Sequence, residues 1–292
     1  MTDMGLMTYF LGIEVVQSEK GIFISQRKYA GDILKRFKME FCNPILTPVE
    51  QRLKLKKDGS GEFVNPIRYK QLVGSLRYLT ATRPDITFGV GLISRFMESP
   101  RQSHMQAAKR ILRYVKGTQS DGIFYVAHCL NELVGYTDSD WAGDEKAKST
   151  SGYVFDIGSG AICWSSKKQQ VVALSSAEAE YVAANRCATH AIWLRRILGN
   201  LQQEQKNPTT IFCDNNSAIS LSKNPVFHER TKHIHAKHHY IRDLVKMKEV
   251  VVHYCPSGDQ IADIFTKPLK TVAFLKLKEL MGMMRFEDLS LV

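Results

Sequence analysis

The chain has 292 residues, with 40 Lys+Arg against 29 Asp+Glu, a formal net charge of +11 and a pI near 9.3. This length favours two domains over one; 44% hydrophobic residues beside 24% charged ones exclude global disorder, and no apolar run is long enough for a membrane-spanning helix. The positive excess points to a polyanionic partner and is lopsided: residues 1–130 hold 20 Lys+Arg and 11 Asp+Glu (+9), the remainder 20 and 18 (+2).

In chain order, YFLGIEVV (9–16) and GIFIS (21–25), joined by the polar QSEK, read as a hairpin. A helix is expected over 26–38, with Tyr29, Ile33, Leu34 and Phe37 on one face. Residues 43–65, with two prolines, three lysines and DGSGE, read as a long irregular stretch. Three helices follow, over 66–80, 84–97 and 101–116; Pro84 suits a first helical position and Gly117 a C-cap. The third carries Lys109, Arg110, Arg113 and Lys116, a basic face that is either solvated surface or a phosphate-facing one. SDGIFYVAH, from residue 120, reads as a connecting strand. Beyond it the order is strand (133–138), strand (152–157), strand (160–165), long helix (175–198), strand (209–214), helices (215–223 and 231–247), strand (249–254) and a short helix (259–266). Three successive strands followed by alternating helices and strands imply a mixed sheet with helices on its faces.

The six cysteines form no CxxC pair, which fits buried thiols in a reducing compartment. No apolar N-terminal segment with a basic flank is present, so neither secretion nor mitochondrial import is expected.

Two strands end alike, one running into Asp138, Ser139 and Asp140, the other into Asp214, Asn215 and Asn216. If they are parallel neighbours, their carboxylates meet at the carboxyl edge of the sheet, where open α/β sheets place ligands; either aspartate alone is better read as starting a turn or capping the next helix. Ser175 and Glu178 have capping-box spacing, which leaves Glu180 at the head of the stripe Glu180, Ala184, Cys187, Ala191, Leu194, Leu198. A carboxylate on an apolar stripe needs a compensating partner, and a metal ion is one. Asp263, in GDQIADIFTKPL, is placed near the edge that the strand VVVHY has just left. Three or four carboxylates at one edge repel unless a cation joins them, and oxygen ligands of this kind suit Mg²⁺ or Mn²⁺. The rival metal reading uses His228, His233, His235, His238 and His239, of which His235 and His239 are an i, i+4 pair able to hold zinc; Arg230, Lys232 and Lys237 make that segment a basic, nucleic-acid-facing one instead.

The motifs YTDSDWAGD (136–144), KSTSGYVF (148–155), WSSKKQ (164–169), ALSSAEAEY (173–181), CDNNSAI (213–219), HERTKHI (228–234) and QIADIFTKPL (260–269) occur in an order that resembles the ribonuclease H domain of Ty1/copia-type retrotransposon Pol polyproteins. YFLGIEV (9–15), YKQLVGSLRYLTATRPDI (69–86) and AAKRILRYVKGT (107–118) resemble the end of the same family's reverse transcriptase and the segment that follows it. The resemblance implies an α/β ribonuclease H-like fold, a mixed five-stranded sheet with flanking helices, preceded by an α+β fragment of a reverse transcriptase (hairpin plus helices). The implied domains are 1–130 for that fragment, 131–270 for ribonuclease H and 271–292 for a C-terminal helical tail.

The activity implied is hydrolysis of the RNA strand of an RNA/DNA hybrid with two Mg²⁺ or Mn²⁺ ions, held by Asp138, Glu180, Asp214 and Asp263 as catalytic carboxylates. Expected strand contacts are Lys148, Ser149, Thr150, Ser151, Lys167, Lys168, Asn215, Asn216, Arg230, Lys232 and His233, with RNA sensed through its 2′-hydroxyls. The expected partner is the hybrid and no membrane, and the implied compartment is the cytoplasm in a virus-like particle context, with the nucleus as a second site. Two departures stand out. No Tyr-x-Asp-Asp turn occurs, so polymerase activity is not expected, and residues 255–262 lack the histidine that many ribonucleases H carry before the last aspartate. The alternative is a truncated, non-catalytic nucleic-acid-binding remnant of the element.

Overall fold

The structure is a computed structural model, and it describes residues 5–129, 132–141, 148–223 and 239–291. It divides into two compact units, one formed by Met1–Cys129 with Pro268–Val292 and the other by Leu130–Lys267.

The first unit is built on an antiparallel sheet of β1 (Tyr9–Phe10), β2 (Ile13–Ser18), β3 (Gly21–Ser25), β4 (Asp121–Val126) and β10 (Met283–Arg285), in the order β1-β2-β3-β4-β10. The connecting strand expected near residue 120 is thus an interior strand, β4. The helices are α1 (Arg27–Arg36), α2 (Pro66–Leu79), α3 (Thr87–Ser94), α4 (Gln102–Gly117) and α8 (Thr271–Leu280). Asn65 caps α2 by accepting from the amides of Ile67 and Arg68, and Pro66 occupies its first position. The helix expected over 84–97 begins as a 3₁₀ turn, Pro84–Ile86, before α3.

That turn holds a buried ion pair. Arg83 donates to Asp85 through Nε (3.0 Å) and Nη2 (2.7 Å), and to the Thr118 carbonyl at the end of α4 (2.7 Å); Tyr114 donates to Asp85 at 2.6 Å. Burial opposes both charges, yet the mutual attraction outweighs it and holds Asp85 below and Arg83 above their ordinary pKa values.

The segment expected as a helical tail, 271–292, does more than cap the chain. After α8, β10 pairs antiparallel with β4, Met283 opposite Ile123 and Arg285 opposite Asp121, and Lys278 pairs with the buried Asp121. A three-residue strand carries too little alternation to be seen in sequence; its partner 160 residues earlier defines it.

The second unit is a mixed five-stranded α/β sheet, β5 (Leu133–Asp140), β6 (Thr150–Ile157), β7 (Gly160–Lys168), β8 (Thr209–Cys213) and β9 (Val250–Tyr254), in the order β7-β6-β5-β8-β9. The pairs β5/β6 and β6/β7 are antiparallel, and β5/β8 and β8/β9 parallel. Helices α5 (Ser176–Asn200), α6 (Asn216–Lys223) and α7 (Tyr240–Lys246) flank it. The stripe of α5 packs inward as its spacing requires: Ala184, Cys187, Ala191 and Leu194 join Phe155, Ile211, Ile241 and Val252 in one core. The early part of the helix expected over 231–247 lies outside the described residues. The last expected helix is a pair of 3₁₀ turns, Ser257–Asp259 and Ile261–Phe265.

Candidate metal centre at the sheet edge

The parallel register of β5 and β8, with Tyr136 opposite Phe212, brings Asp138 and Asp214 to the same level at the carboxyl edge. Asp138 lies in the last turn of β5's ladder, facing Gly152 of β6, and Asp214 immediately follows β8. Glu180 reaches the same edge from the first turns of α5. The start of that helix is fixed twice: Ser175 accepts from the Glu178 amide (3.2 Å), and Glu178 accepts from the Leu174 amide (2.7 Å). Asp263 arrives on the 3₁₀ turn after β9.

The four carboxyl groups come together. Asp138, Asp214 and Asp263 each offer an oxygen within 4.8 Å of the others, and Glu180 and Asp214 do so with the Cys213 thiol. Asp138, Glu180 and Asp263 are buried and Asp214 half-buried. Each has an anchor: the Ser139 amide donates to Glu180 Oε1 (3.1 Å), Thr266 Oγ1 donates to Asp138, Ser257 Oγ donates to Asp214 (2.9 Å), and Lys267 Nζ lies 2.8 Å from Asp263 and 3.6 Å from Asp138. Burial, reinforced by Asp138 and Asp214, pushes the Glu180 carboxyl up to about 10. Burial and Asp138 raise Asp263 to about 7 against the pull of Lys267.

A divalent cation fits this donor set. One ammonium faces four carboxyl groups, the donors are hard oxygens, and Glu180 Oε2 is buried without any hydrogen-bond partner.

Several residues that hold the site carry no sequence signal of their own. Gln260, fully buried, donates to the carbonyl of Thr137 (3.0 Å) and accepts from the Ala262 amide (3.2 Å), fastening the turn that bears Asp263 to β5. Gln169 donates to Ser151 Oγ (2.8 Å), Ser139 Oγ (3.2 Å) and the Ala179 carbonyl (2.9 Å), tying β7's end to α5 beside Glu180. Gly152 makes room: a Cβ there would sit 2.7 Å from Thr266 Cγ2 and 2.8 Å from Phe265 Cβ.

The expected strand contacts divide. Ser149, Thr150 and Ser151 are buried, because β6 starts between β5 and β7, so their hydroxyls do not form an outer surface. Asn215 caps α6, accepting from the Ala218 amide at 3.0 Å. Asn216 and Lys167 are exposed, and Lys148 and Lys168 half-buried. Arg230, Lys232 and His233 lie outside the described residues, as do His228, His235 and His238 of the rival zinc cluster. His239 is described, its Nδ1 3.1 Å from Tyr181 Oη.

No family model matches the chain. Over 278 residues, 95% of its length, it is 41% identical to the retrovirus-related Pol polyprotein from transposon RE1 of Arabidopsis thaliana, of which it spans 19%. A second such polyprotein, from transposon TNT 1-94 of Nicotiana tabacum, is 40% identical over 97% of the chain, which spans 22% of it. An uncharacterized mitochondrial protein of Arabidopsis thaliana is 37% identical over 66% of the chain and 80% of its own length. Among solved structures, an RNase H1 isolated from compost is 19% identical, covers 50% of this chain and 98% of its own, and superposes with a TM-score of 0.33.

Proposed function

The chain belongs to the retrovirus-related Pol polyproteins of copia-type transposons, and on that premise we propose that its Leu130–Lys267 unit is a ribonuclease H-type endonuclease, cleaving the RNA strand of RNA/DNA hybrids with two Mg²⁺ or Mn²⁺ ions. The observation that carries this is the buried, unpartnered Oε2 of Glu180 amid four carboxyl groups delivered by four separate elements. Structural aspartates at strand ends have no reason to converge, whereas phosphodiester hydrolysis needs this convergence.

Asp138, Glu180, Asp214 and Asp263 would hold the ions; none acts as a nucleophile. Bound there, the ions supply an activated water and charge stabilisation for the leaving 3′ oxygen. The chain's own part is to fix the donors: the Ser139 amide holds Glu180, Thr266 holds Asp138, Ser257 holds Asp214, and Lys267 holds Asp263 while also facing Asp138, so little rearrangement precedes the reaction. Lys148, Lys167, Lys168 and Asn216 are the strand contacts this reading retains near the site, with Arg230, Lys232 and His233 as further candidates. On the same reading residues 1–130 are a reverse-transcriptase fragment without the polymerase aspartate turn, and the protein works in the cytoplasm within a virus-like particle.

The test is cleavage of a hybrid labelled on its RNA strand. Wild-type protein cleaves in Mg²⁺ or Mn²⁺ and not in EDTA, and Asp138→Asn or Glu180→Gln reduces cleavage to background while circular dichroism stays unchanged. A folded wild-type chain that binds hybrid in a salt-dependent way, yet cleaves with neither ion, leaves the non-catalytic reading in its place.

A further inference from the structure

The donors at the sheet edge fall into two sets of three that share Asp214. In one, Asp138, Asp214 and Asp263 offer oxygens alone; in the other, Glu180 and Asp214 are joined by the Cys213 thiol, and within each set the donor atoms lie within 4.8 Å of one another. The ammonium group serves the first set, with Lys267 Nζ 2.8 Å from Asp263 and 3.6 Å from Asp138. The second set has the oxygen without a partner, Glu180 Oε2, on a residue only 5% exposed.

Cys213 closes β8, and alternation along that strand puts it beside Ile211 on the buried face that packs with α5. It is fully buried, and its thiol makes a long contact, 3.9 Å, to the Asn215 carbonyl. Filling the core at this position needs only a small apolar side chain. Packing does not require a sulfur within reach of two carboxylates, one of them with an oxygen that no described residue satisfies. Softness then separates the two sets. Mg²⁺ takes oxygen ligands and gains nothing from a thiol, whereas Zn²⁺ combines thiolate and carboxylate readily, and the softer Cd²⁺ favours the sulfur still more.

We propose that Glu180, Cys213 and Asp214 form a thiophilic-metal site, through which Zn²⁺ or Cd²⁺ takes the two carboxylates that a catalytic ion needs and so inhibits the centre. The inference rests on the metal centre proposed above and adds Cys213 as a ligand that hydrolysis does not use. As the metal–sulfur bond forms, the thiol proton leaves to solvent and Cys213 binds as the thiolate.

The experiment titrates the full chain with Cd²⁺, without nucleic acid and with a phosphine reductant, and reads the sulfur-to-cadmium charge-transfer absorption in the ultraviolet, which carboxylate and imidazole ligands do not give. Wild-type protein should develop the band. Cys213→Ser should lose it with circular dichroism unchanged, and its Zn²⁺ affinity, measured by competition, should fall by about 10- to 100-fold while Mg²⁺ binding is kept. Asp263→Asn, in the all-oxygen set, should keep the band, as should Cys163→Ser, which removes a half-buried thiol 3.1 Å from His190 Nε2. Should Cys213→Ser melt early, Glu180→Gln, which retains the thiol, should weaken Cd²⁺ binding by a similar factor. A band that survives Cys213→Ser, or that is lost in Cys163→Ser instead, overturns the proposal. The band also parts this inference from the nuclease reading: protein that cleaves hybrid in Mg²⁺ and shows no band overturns the thiol ligand alone, and protein that shows the Cys213-dependent band without cleaving keeps it.

Discussion

Two carboxyl groups show how a single residue's surroundings set its energetics. Asp85 is buried with Arg83 and Tyr114 donating to it, and it stays charged at a cost its partners offset. Asp156, on β6, is half-buried with no compensating charge among the described residues, and desolvation raises its carboxyl to about 6. The folded pKa lies above the unfolded one, near 3.8, so between these values the native state binds a proton that the unfolded chain has lost. Stability therefore falls as pH rises through that window and stays at the lower level above it. Asp156→Asn should stabilise the second unit at pH 8 by roughly 1–3 kcal/mol, and by only about 0.5 kcal/mol at pH 4, close to the unfolded pKa. Thermal melts of both proteins at the two pH values check this; an equal gain at pH 4 would assign the effect to packing instead.

At the scale of elements, the parts of the site legible in sequence are those that lie on periodic structure. Asp138 and Asp214 are visible because alternation ends in an acid twice, and Glu180 because a 3.6-residue stripe begins with one. Gln169, Gln260 and Gly152 are not visible: each acts on a residue brought near by topology, and neither a loop glutamine nor a strand glycine alters local periodicity. Arg83 and Asp85 escape for the same reason, since Pro84 between them signals a helix start and nothing reports that both are buried. Gly152 is the sharpest case. Ala there forces its Cβ against Phe265 and Thr266 and into 3.0 Å contact with the Ala262 carbonyl, on the turn that carries Asp263. Overpacking of this kind costs about 1–3 kcal/mol, and a shift of about 1 Å in a catalytic group costs on the order of 100-fold in rate. If the chain is the proposed hybrid nuclease with Asp263 among its metal-holding carboxylates, Gly152→Ala is expected to lower the melting temperature modestly and cleavage severely. Activity near the wild-type level, with the melt shifted, would show that the turn moves without carrying Asp263 away.

On the scale of the whole molecule, charge separates by compact unit more sharply than by halves of the sequence. Residues 1–129 with 268–292 hold 24 Lys+Arg against 14 Asp+Glu, and residues 130–267 hold 16 against 15. The basic excess belongs to a unit that the chain leaves at Cys129 and re-enters at Pro268, so that unit is completed last. What the returning segment supplies is core and counter-charge: Phe274, Leu277, Met281 and Met283 are buried, β10 pairs with β4, and Lys278 neutralises the buried Asp121. Burial of four such apolar side chains contributes about 1.5–3 kcal/mol each, and a buried carboxylate stripped of its partner costs a further 3–5 kcal/mol or so. Together these match or exceed the roughly 5–15 kcal/mol by which a domain is stable. A chain ending at Lys267 should therefore lose protection from hydrogen exchange throughout β2, β3 and β4, while amides of β5, β6 and β8, whose sheet and core are complete without residues 268–292, keep theirs. Lys278→Met in the full chain isolates the electrostatic part, since it keeps the apolar burial and the β10 pairing and leaves Asp121 buried with only the longer-range pull of Arg83. If the truncated chain protects β3 and β4 as the full chain does, the 268–292 segment only decorates a unit already stable without it.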